Sequence, residues 1–231
     1  MRDTLVCLLA GGEGERLSPL TRDRAKPAVP FGGIYRIVDL TLSNCINSEL
    51  RHIYVLTQYK ALSLNRHVRE GWSIFSHELG EFITVLPPMK RVGEHWYQGT
   101  ADAIYQNLYS IGSETCKYVL ILAGDHVYKM NYQLMLTQHV DSGAGVTIGT
   151  IEFDRSAASR FGVIETDSAG RIVAWQEKPA DPKPSAHNPT KSHVSMGIYC
   201  FNRDLLFDTL MADAEDPKSQ HDFGKNIIPR L

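Results

Sequence analysis

The stretch T-L-V-C-L-L-A-G-G-E-G-E-R-L, residues 4–17, decides how the chain reads. Thr4–Leu9 is a short apolar run, and it gives way at once to Ala10, Gly11, Gly12 and Gly14. Such a run reads as a buried strand that opens into a loop of bare backbone. Without Cβ atoms, that loop lets its N–H groups approach a phosphate closely. Arg16 then adds a fixed cation and Lys26 can add a second, an arrangement that suits a nucleoside triphosphate better than a hydride carrier. Spacing narrows the reading. Gly12 and Gly14 fit the start of G-x-G-x-x-G, but its third glycine is Leu17 here, and no segment supplies G-x-x-x-x-G-K-[ST]. Taken by itself, a glycine loop is equally an ordinary strand-to-helix turn, so the surrounding residues decide.

Working outward, 231 residues suffice for one sizeable α/β domain with a proper core. The hydrophobic share of 43% is in the globular range, and a net charge of −2 argues against a surface that coats nucleic acid. No apolar run is long enough to span a bilayer, and the N-terminus enters Thr4–Ala10 without a signal-peptide pattern. Cys7, Cys45, Cys116 and Cys200 are far apart and form no C-x-x-C pair, so they read as reduced, buried thiols of a cytoplasmic protein.

Apolar, β-branched runs alternate with helical patterns, the signature of a mostly parallel sheet flanked by helices. The expected strands are Thr4–Leu9, Ile53–Thr57, Ile83–Leu86, Tyr118–Ala123, Val146–Phe153, Phe161–Thr166, Arg171–Glu177 and Val194–Phe201. Ala101, Ile104, Leu108 and Ile111 recur at helical spacing behind Thr100 as N-cap. Asn131 is expected to cap another helix ending near Gly143, and Tyr59–Arg69 a third stopped by Gly71. After about Gly145 the strands crowd together, with a hairpin turn at 167–170. The expectation is an α/β fold whose doubly wound first half carries a mixed, more antiparallel second half.

Four constellations carry chemistry. Gly124-Asp125-His126 follows Tyr118–Ala123; a carboxylate just past a parallel strand sits where open α/β sheets bind ligands, and Asp125 could hold Mg²⁺ against a triphosphate. Lys26 precedes Pro27, which biases it toward extended backbone. Trp96-Tyr97-Gln98-Gly99-Thr100 joins aromatic rings to an electropositive helix start, with Trp96 the better candidate for core packing and Tyr97 for a nucleobase or sugar. Glu177-Lys178-Pro179 ends a strand with a charged pair: the carboxylate can accept from sugar hydroxyls, and the ammonium can hold a sugar phosphate.

Together with A-K-P-A-V-P-F-G-G (25–33), R-I-V-D-L-T-L-S-N (36–44), L-A-G-D-H-V-Y (122–128), S-M-G-I-Y (195–199) and H-D-F-G-K (221–225), these segments resemble the sugar-nucleotide pyrophosphorylases, in family order from end to end. F-G-G, W-Y-Q-G-T-A-D-A and L-A-G-D-H-V-Y point to the ADP-glucose branch. The resemblance implies a Rossmann-like, mostly parallel mixed sheet and a reaction in which ATP and α-D-glucose 1-phosphate give ADP-glucose and pyrophosphate with Mg²⁺. It implies Arg16, Lys26 and Asp125 as catalytic residues, Asp125 also holding the metal. Leu9, Gly11, Gly12, Gly14, Tyr97, Gly99 and Thr100 would bind the nucleotide, and Tyr97, Gly162, Glu177, Lys178 and Ser195 the glucose 1-phosphate, with Asp222 in support.

Residues 1–231 are then a nucleotidyltransferase catalytic domain cut short, without the family's C-terminal β-helix or the second metal carboxylate of its W-R-D-V-G-T segment. This stretch alone is expected to be weakly active or inactive. The whole protein is expected to be a homotetramer under small-molecule effectors whose identity does not carry over. Two alternatives stay open: a pyrophosphorylase for UDP-, dTDP- or CDP-glucose, or a regulatory subunit without turnover. The second is disfavoured because Arg16, Lys26, Asp125 and Lys178 are all present.

Overall fold

A computed structural model describes residues 3–12, 14–89 and 96–231. In chain order its strands are β1 (Thr4–Leu9), β2 (Pro30–Phe31), β3 (Tyr35–Arg36), β4 (His52–Leu56), β5 (Phe82–Leu86), β6 (Tyr118–Ala123), β7 (Val146–Asp154), β8 (Gly162–Thr166), β9 (Ile172–Glu177) and β10 (Lys191–Asn202). The α-helices are α1 (Ile37–Asn47), α2 (Leu62–Gly71), α3 (Thr100–Tyr105), α4 (Leu108–Gly112), α5 (Tyr132–Ser142) and α6 (Arg203–Ala214).

All strands but β2 and β3 join one sheet, in the order β5-β4-β1-β6-β10-β8-β9 with β7 also along β10. The strands β5, β4, β1 and β6 are parallel. From β10 onward the pairing is antiparallel, the change of character expected after Gly145.

The central strands read as unbroken apolar runs because both faces are covered. Leu5 and Cys7 of β1, Tyr54 and Leu56 of β4, and Val119 and Ile121 of β6 pack with α3, α4 and α6. Val6 and Leu8, Ile53 and Val55, and Leu120 and Leu122 pack into the other layer with α1, α2 and α5. Period-2 alternation thus survives, concealed, inside each run.

From β1 the chain steps to β4 and β5 on one side and to β6 on the other. The switch in strand order falls between β1 and β6, and the crevice beyond the carboxyl ends of such strands is where doubly wound sheets bind ligands. Gly11, Gly12, Gly14 and Gly124-Asp125 lie at this switch, where the Gly124 N–H donates to Leu9 O (3.0 Å) at the end of β1.

Several expectations are corrected. The helical pattern from Ala101 to Ile111 is two helices, α3 and α4, and Thr100 is the first helical residue behind Gly99 as N-cap. Helix α1 falls on R-I-V-D-L-T-L-S-N, whose β-branched residues mask its pattern. It starts on a capping box in which the Arg36 N–H donates to Asp39 Oδ2 (2.7 Å). Lys26 is not extended: it opens a 3₁₀ turn, Lys26–Ala28, with Pro27 at a position where its missing N–H costs nothing. Asn131 does cap α5 through Gln133 N–H (2.9 Å), and Gly143 ends it in the left-handed conformation.

Candidate active site

The carboxyl edge of the parallel strands carries a circuit of contacts through nearly every motif. It starts at the glycine loop. A Cβ on Gly14 (φ +68°) would lie 2.6 Å from Lys26 Cβ, so only glycine lets the loop fold down onto the lysine. Thr21 Oγ1 fixes the loop from below by donating to Gly14 O (2.9 Å). Lys26 Nζ then reaches Asp125 Oδ2 at 2.9 Å, joining two residues 99 positions apart. His126 Nδ1, 3.6 Å from Asp125 Oδ1, and the Lys26 ammonium together hold the Asp125 carboxyl down at about 2 against the cost of burial. Of the two, only the lysine is within hydrogen-bonding distance. Asp125 is therefore a fixed anion. Arg16 lies exposed in the 3₁₀ turn Glu15–Leu17, two residues past Gly14.

On the far side of β1, a Cβ on Gly11 would come within 2.9 Å of Gln58 Cβ. Gln58 Nε2 in turn donates to Tyr97 O (3.1 Å). The aromatic pair reverses the sequence expectation. Trp96 is 51% exposed, whereas Tyr97 is 9% exposed, its ring in the core and its hydroxyl accepting from Asn107 Nδ2 (2.9 Å). The start of α3 is also not open to an anion. Its Ala101 and Asp102 N–H groups donate to His221 O at 2.8 and 3.2 Å, and a Cβ on Gly99 would sit 2.2 Å from that oxygen. Gly99 is needed for this close packing, and Thr100 Oγ1 donates to Asp222 Oδ2 (3.0 Å).

The remaining residues close the circuit. Asp222 Oδ1 accepts from the Gly224 and Lys225 N–H groups at 3.0 and 3.2 Å, shaping a π-turn at Phe223–Ile227. Gly224 O accepts from Trp175 Nε1 (2.8 Å), and its missing Cβ would lie 2.6 Å from Glu177 Oε2. Gly162 is bare for the same reason: a Cβ there would meet the Trp175 ring at 2.4 Å and Glu177 Oε2 at 3.1 Å. Glu177 Oε1 pairs with Lys178 Nζ at 2.8 Å, and Lys178 has a left-handed backbone, φ +46°.

Ser195 begins a bulge in β10 that ends at Ile198, where Gly197 at φ +67° turns its N–H back to Ser195 Oγ (3.2 Å). Burial pushes the Tyr199 phenol up to about 12; its hydrogen bond to Ser195 opposes this, and the charges of Asp222 and Glu177 reinforce it. A Cβ on Gly197 would stand 3.8 Å from Ala123 Cβ, which returns the circuit to the residues before Asp125. Gln58, Tyr199 and His221 were not among the sequence-derived site residues, although Tyr199 and His221 fall in the segments S-M-G-I-Y (195–199) and H-D-F-G-K (221–225); nothing local marks Gln58.

Among the described residues no three His, Cys, Asp or Glu side chains cluster as a cage. Mg²⁺ is commonly held by one or two carboxylates and completes its shell from phosphates and water, so an ionised Asp125 at a strand end fits it. Two cavities lie away from this edge. One of about 530 Å³ is bordered by Arg155, whose Nε donates to Pro182 O (2.7 Å) and whose Nη2 pairs with Asp181; the other, about 460 Å³, is bordered by Trp72 and Phe75.

A glycine loop on a lysine, a strand-end carboxylate and a second charged pair thus share one edge of the sheet, and the chain belongs to the nucleotidyl transferase family, whose model matches residues 5–231. It is 64% identical over its full length to a glucose-1-phosphate adenylyltransferase of Koribacter versatilis (strain Ellin345), covering 56% of that relative. A Rhodopirellula baltica protein of the same name is 56% identical over 99% of the chain and is covered to 52%. Glucose-1-phosphate adenylyltransferase 2 of Vibrio cholerae is 55% identical over the whole chain and is covered to 57%. The chain thus spans a little over half the length of the curated relatives it matches.

Proposed function

We propose that the protein transfers the adenylyl group of ATP to α-D-glucose 1-phosphate, giving ADP-glucose and pyrophosphate. A phosphate oxygen of glucose 1-phosphate attacks the α-phosphorus of ATP, a new O–P bond forms, and the bond to the β,γ-pyrophosphate breaks. No protein nucleophile is needed, so positioning and charge neutralisation carry the catalysis. Gly11, Gly12 and Gly14 offer N–H groups to the triphosphate, with Leu9, Tyr97, Gly99 and Thr100 as the supporting nucleotide-side set. Arg16 neutralises the departing pyrophosphate, and Lys26 grips the phosphates from its station beside Asp125. Asp125 would hold Mg²⁺, which when bound would withdraw charge from the phosphate oxygens.

On the sugar side, Glu177 accepts from glucose hydroxyls, Lys178 meets the sugar phosphate, and Gly162 and Ser195 shape the pocket around them. Tyr97 acts there through its backbone and as a wall, since its hydroxyl is engaged by Asn107. Asp222 acts as a support.

The observation that carries the reading is the 2.9 Å contact of Lys26 with Asp125 under the Gly14 loop at the β1/β6 switch. Further support comes from the relatives, which are named glucose-1-phosphate adenylyltransferases. The same reading makes residues 1–231 a catalytic domain, and the whole protein a cytoplasmic, glycogen-forming homotetramer under small-molecule effectors. For the cytoplasm the support is four free, buried cysteines; in addition, no helix among the described residues is long and apolar enough to cross a membrane. For assembly and effectors the support is the family pattern of the sequence alone.

The test is turnover of the intact protein with glucose 1-phosphate, Mg²⁺ and each of ATP, UTP, dTTP and CTP. Release of pyrophosphate with the highest kcat/KM for ATP is expected. A preference for another nucleotide overturns the adenylyl assignment, and no turnover with any of them overturns the reaction.

A further inference from the structure

We propose that His221 is a positioning residue: its side chain, gripped by the buried Asp213, clamps the nucleotide-side loop 96–100 to the sugar-side turn 222–224. This rests on the proposed reaction for what the two sides bind, but the clamp itself is a matter of geometry. His221 is a non-glycine residue at φ +51°, a strained backbone conformation that persists only where its surroundings over-determine it. Here they do. The imidazole Nδ1–H donates to Asp213 Oδ2 (2.8 Å), and the backbone N–H donates to Ser219 Oγ (2.9 Å), whose own hydroxyl donates to Asp213 Oδ1 (2.7 Å). Asp213 is 2% exposed on α6, and Arg230 Nη1 at 3.3 Å completes its partners.

So held, the His221 carbonyl points into the start of α3 and takes the Ala101 and Asp102 N–H groups. The next residue, Asp222, bridges Thr100 Oγ1 to the Gly224 and Lys225 amides, and Gly224 backs directly onto Glu177 Oε2. One peptide plane therefore sets the spacing between Gly99 on the nucleotide side and Glu177 on the sugar side. His221 need touch neither substrate to govern how the sugar phosphate is held. None of the four polar side chains of the clamp—His221, Asp213, Arg230 and Asp222—is among the residues assigned above to phosphate or metal.

Two variants separate the grip from the backbone. Glycine tolerates positive φ but has no side chain, whereas asparagine tolerates it and carries an amide N–H where the imidazole Nδ1–H stands. In the intact protein, H221G is expected to raise KM for glucose 1-phosphate about tenfold while lowering kcat less, and to speed amide exchange at Ala101 and Asp102 at least tenfold. H221N is expected to keep both within about threefold of wild type. KM is independent of the fraction folded, so partial unfolding does not imitate this split. The exchange arm needs no substrate, so a wild-type protein without turnover strikes the proposed reaction and leaves exchange to decide the clamp. Wild-type KM and exchange in H221G, or H221N as impaired as H221G, overturns the proposal.

Discussion

Alanine at Gly14 and at Gly12 should have opposite consequences, although the two glycines are two residues apart in one loop. At Gly14 an added Cβ meets Lys26 Cβ at 2.6 Å and Thr21 Cγ2 at 3.0 Å, with φ at +68°. Ordinary carbon–carbon contact is about 3.5–4.0 Å, so the β-carbon of Lys26 must retreat by about 1 Å. The left-handed backbone adds about 1–2 kcal/mol and the overpacking about 1–3 kcal/mol. At about 2–4 °C per kcal/mol for a chain of this size, Tm should fall by roughly 4–20 °C. A 1 Å displacement of a positioned group can cost about 10²-fold, so kcat should fall by that order as Lys26 leaves Asp125.

At Gly12 an added Cβ meets nothing within 4 Å, and φ is not positive, so the folded protein should be as stable as wild type. If bare backbone there serves the triphosphate, losing one amide–phosphate bond worth about 1.5–3 kcal/mol should raise KM for ATP about 10- to 100-fold. Thermal melts and steady-state kinetics on both variants read this out. A Gly12→Ala protein with unchanged KM for ATP would refute the phosphate-loop reasoning, and a Gly14→Ala protein with wild-type Tm would refute the packing account.

Asp125→Asn should lower turnover at least 100-fold, because a fixed charge at the reacting phosphates is worth about 10²–10³. Its Tm should stay within about 4 °C, since a partly exposed ion pair contributes only about 0–1 kcal/mol; a large loss of Tm with turnover intact would remove the assignment. Lys178→Ala should raise KM for glucose 1-phosphate about 10- to 100-fold, by loss of one charge-assisted bond. The positive φ is equally strained in either residue, so an unchanged KM would speak against a phosphate contact. Burial lowers the His139 pKa from 6.5, its nitrogens being engaged by Thr147 Oγ1 (2.8 Å) and Asn202 Oδ1 (3.1 Å). Below 6.5 the unfolded chain takes up a proton that the folded ring resists, so this group's contribution is complete above 6.5 and lost as pH falls through the folded value. A His139→Gln protein should show a flatter fall of Tm between pH 7 and 5; an identical slope would contradict this.

The parallel half of the fold was legible because buried strands must be continuously apolar, and Thr4–Leu9 and Tyr118–Ala123 have the same limits in the sequence and in the structure. Helix α1 was not, because Ile37, Val38 and Thr41 read as strand and its N-terminus depends on a box between Arg36 and Asp39 rather than on Ser, Thr, Asp or Asn. The break between α3 and α4 was hidden because apolar spacing continues across it.

In the proposed site, local motifs marked the glycine loop, Asp125 and Glu177-Lys178. The reasons for Gly99 and Gly162 lie in tertiary contacts with His221 and Trp175, far away in the chain. Tyr97 and Trp96 exchanged places for the same reason: which ring turns inward depends on Asn107, ten residues on, and no local pattern reveals it.

The most direct trial of the whole account is a crystal structure of the intact protein with a non-hydrolysable ATP analogue, glucose 1-phosphate and Mg²⁺. The triphosphate is expected on the amides of Gly11, Gly12 and Gly14, the metal on the Asp125 carboxylate, and the sugar phosphate within reach of Lys178. A triphosphate seated elsewhere, with Lys26 still closed on Asp125 and no metal on that carboxylate, would contradict it.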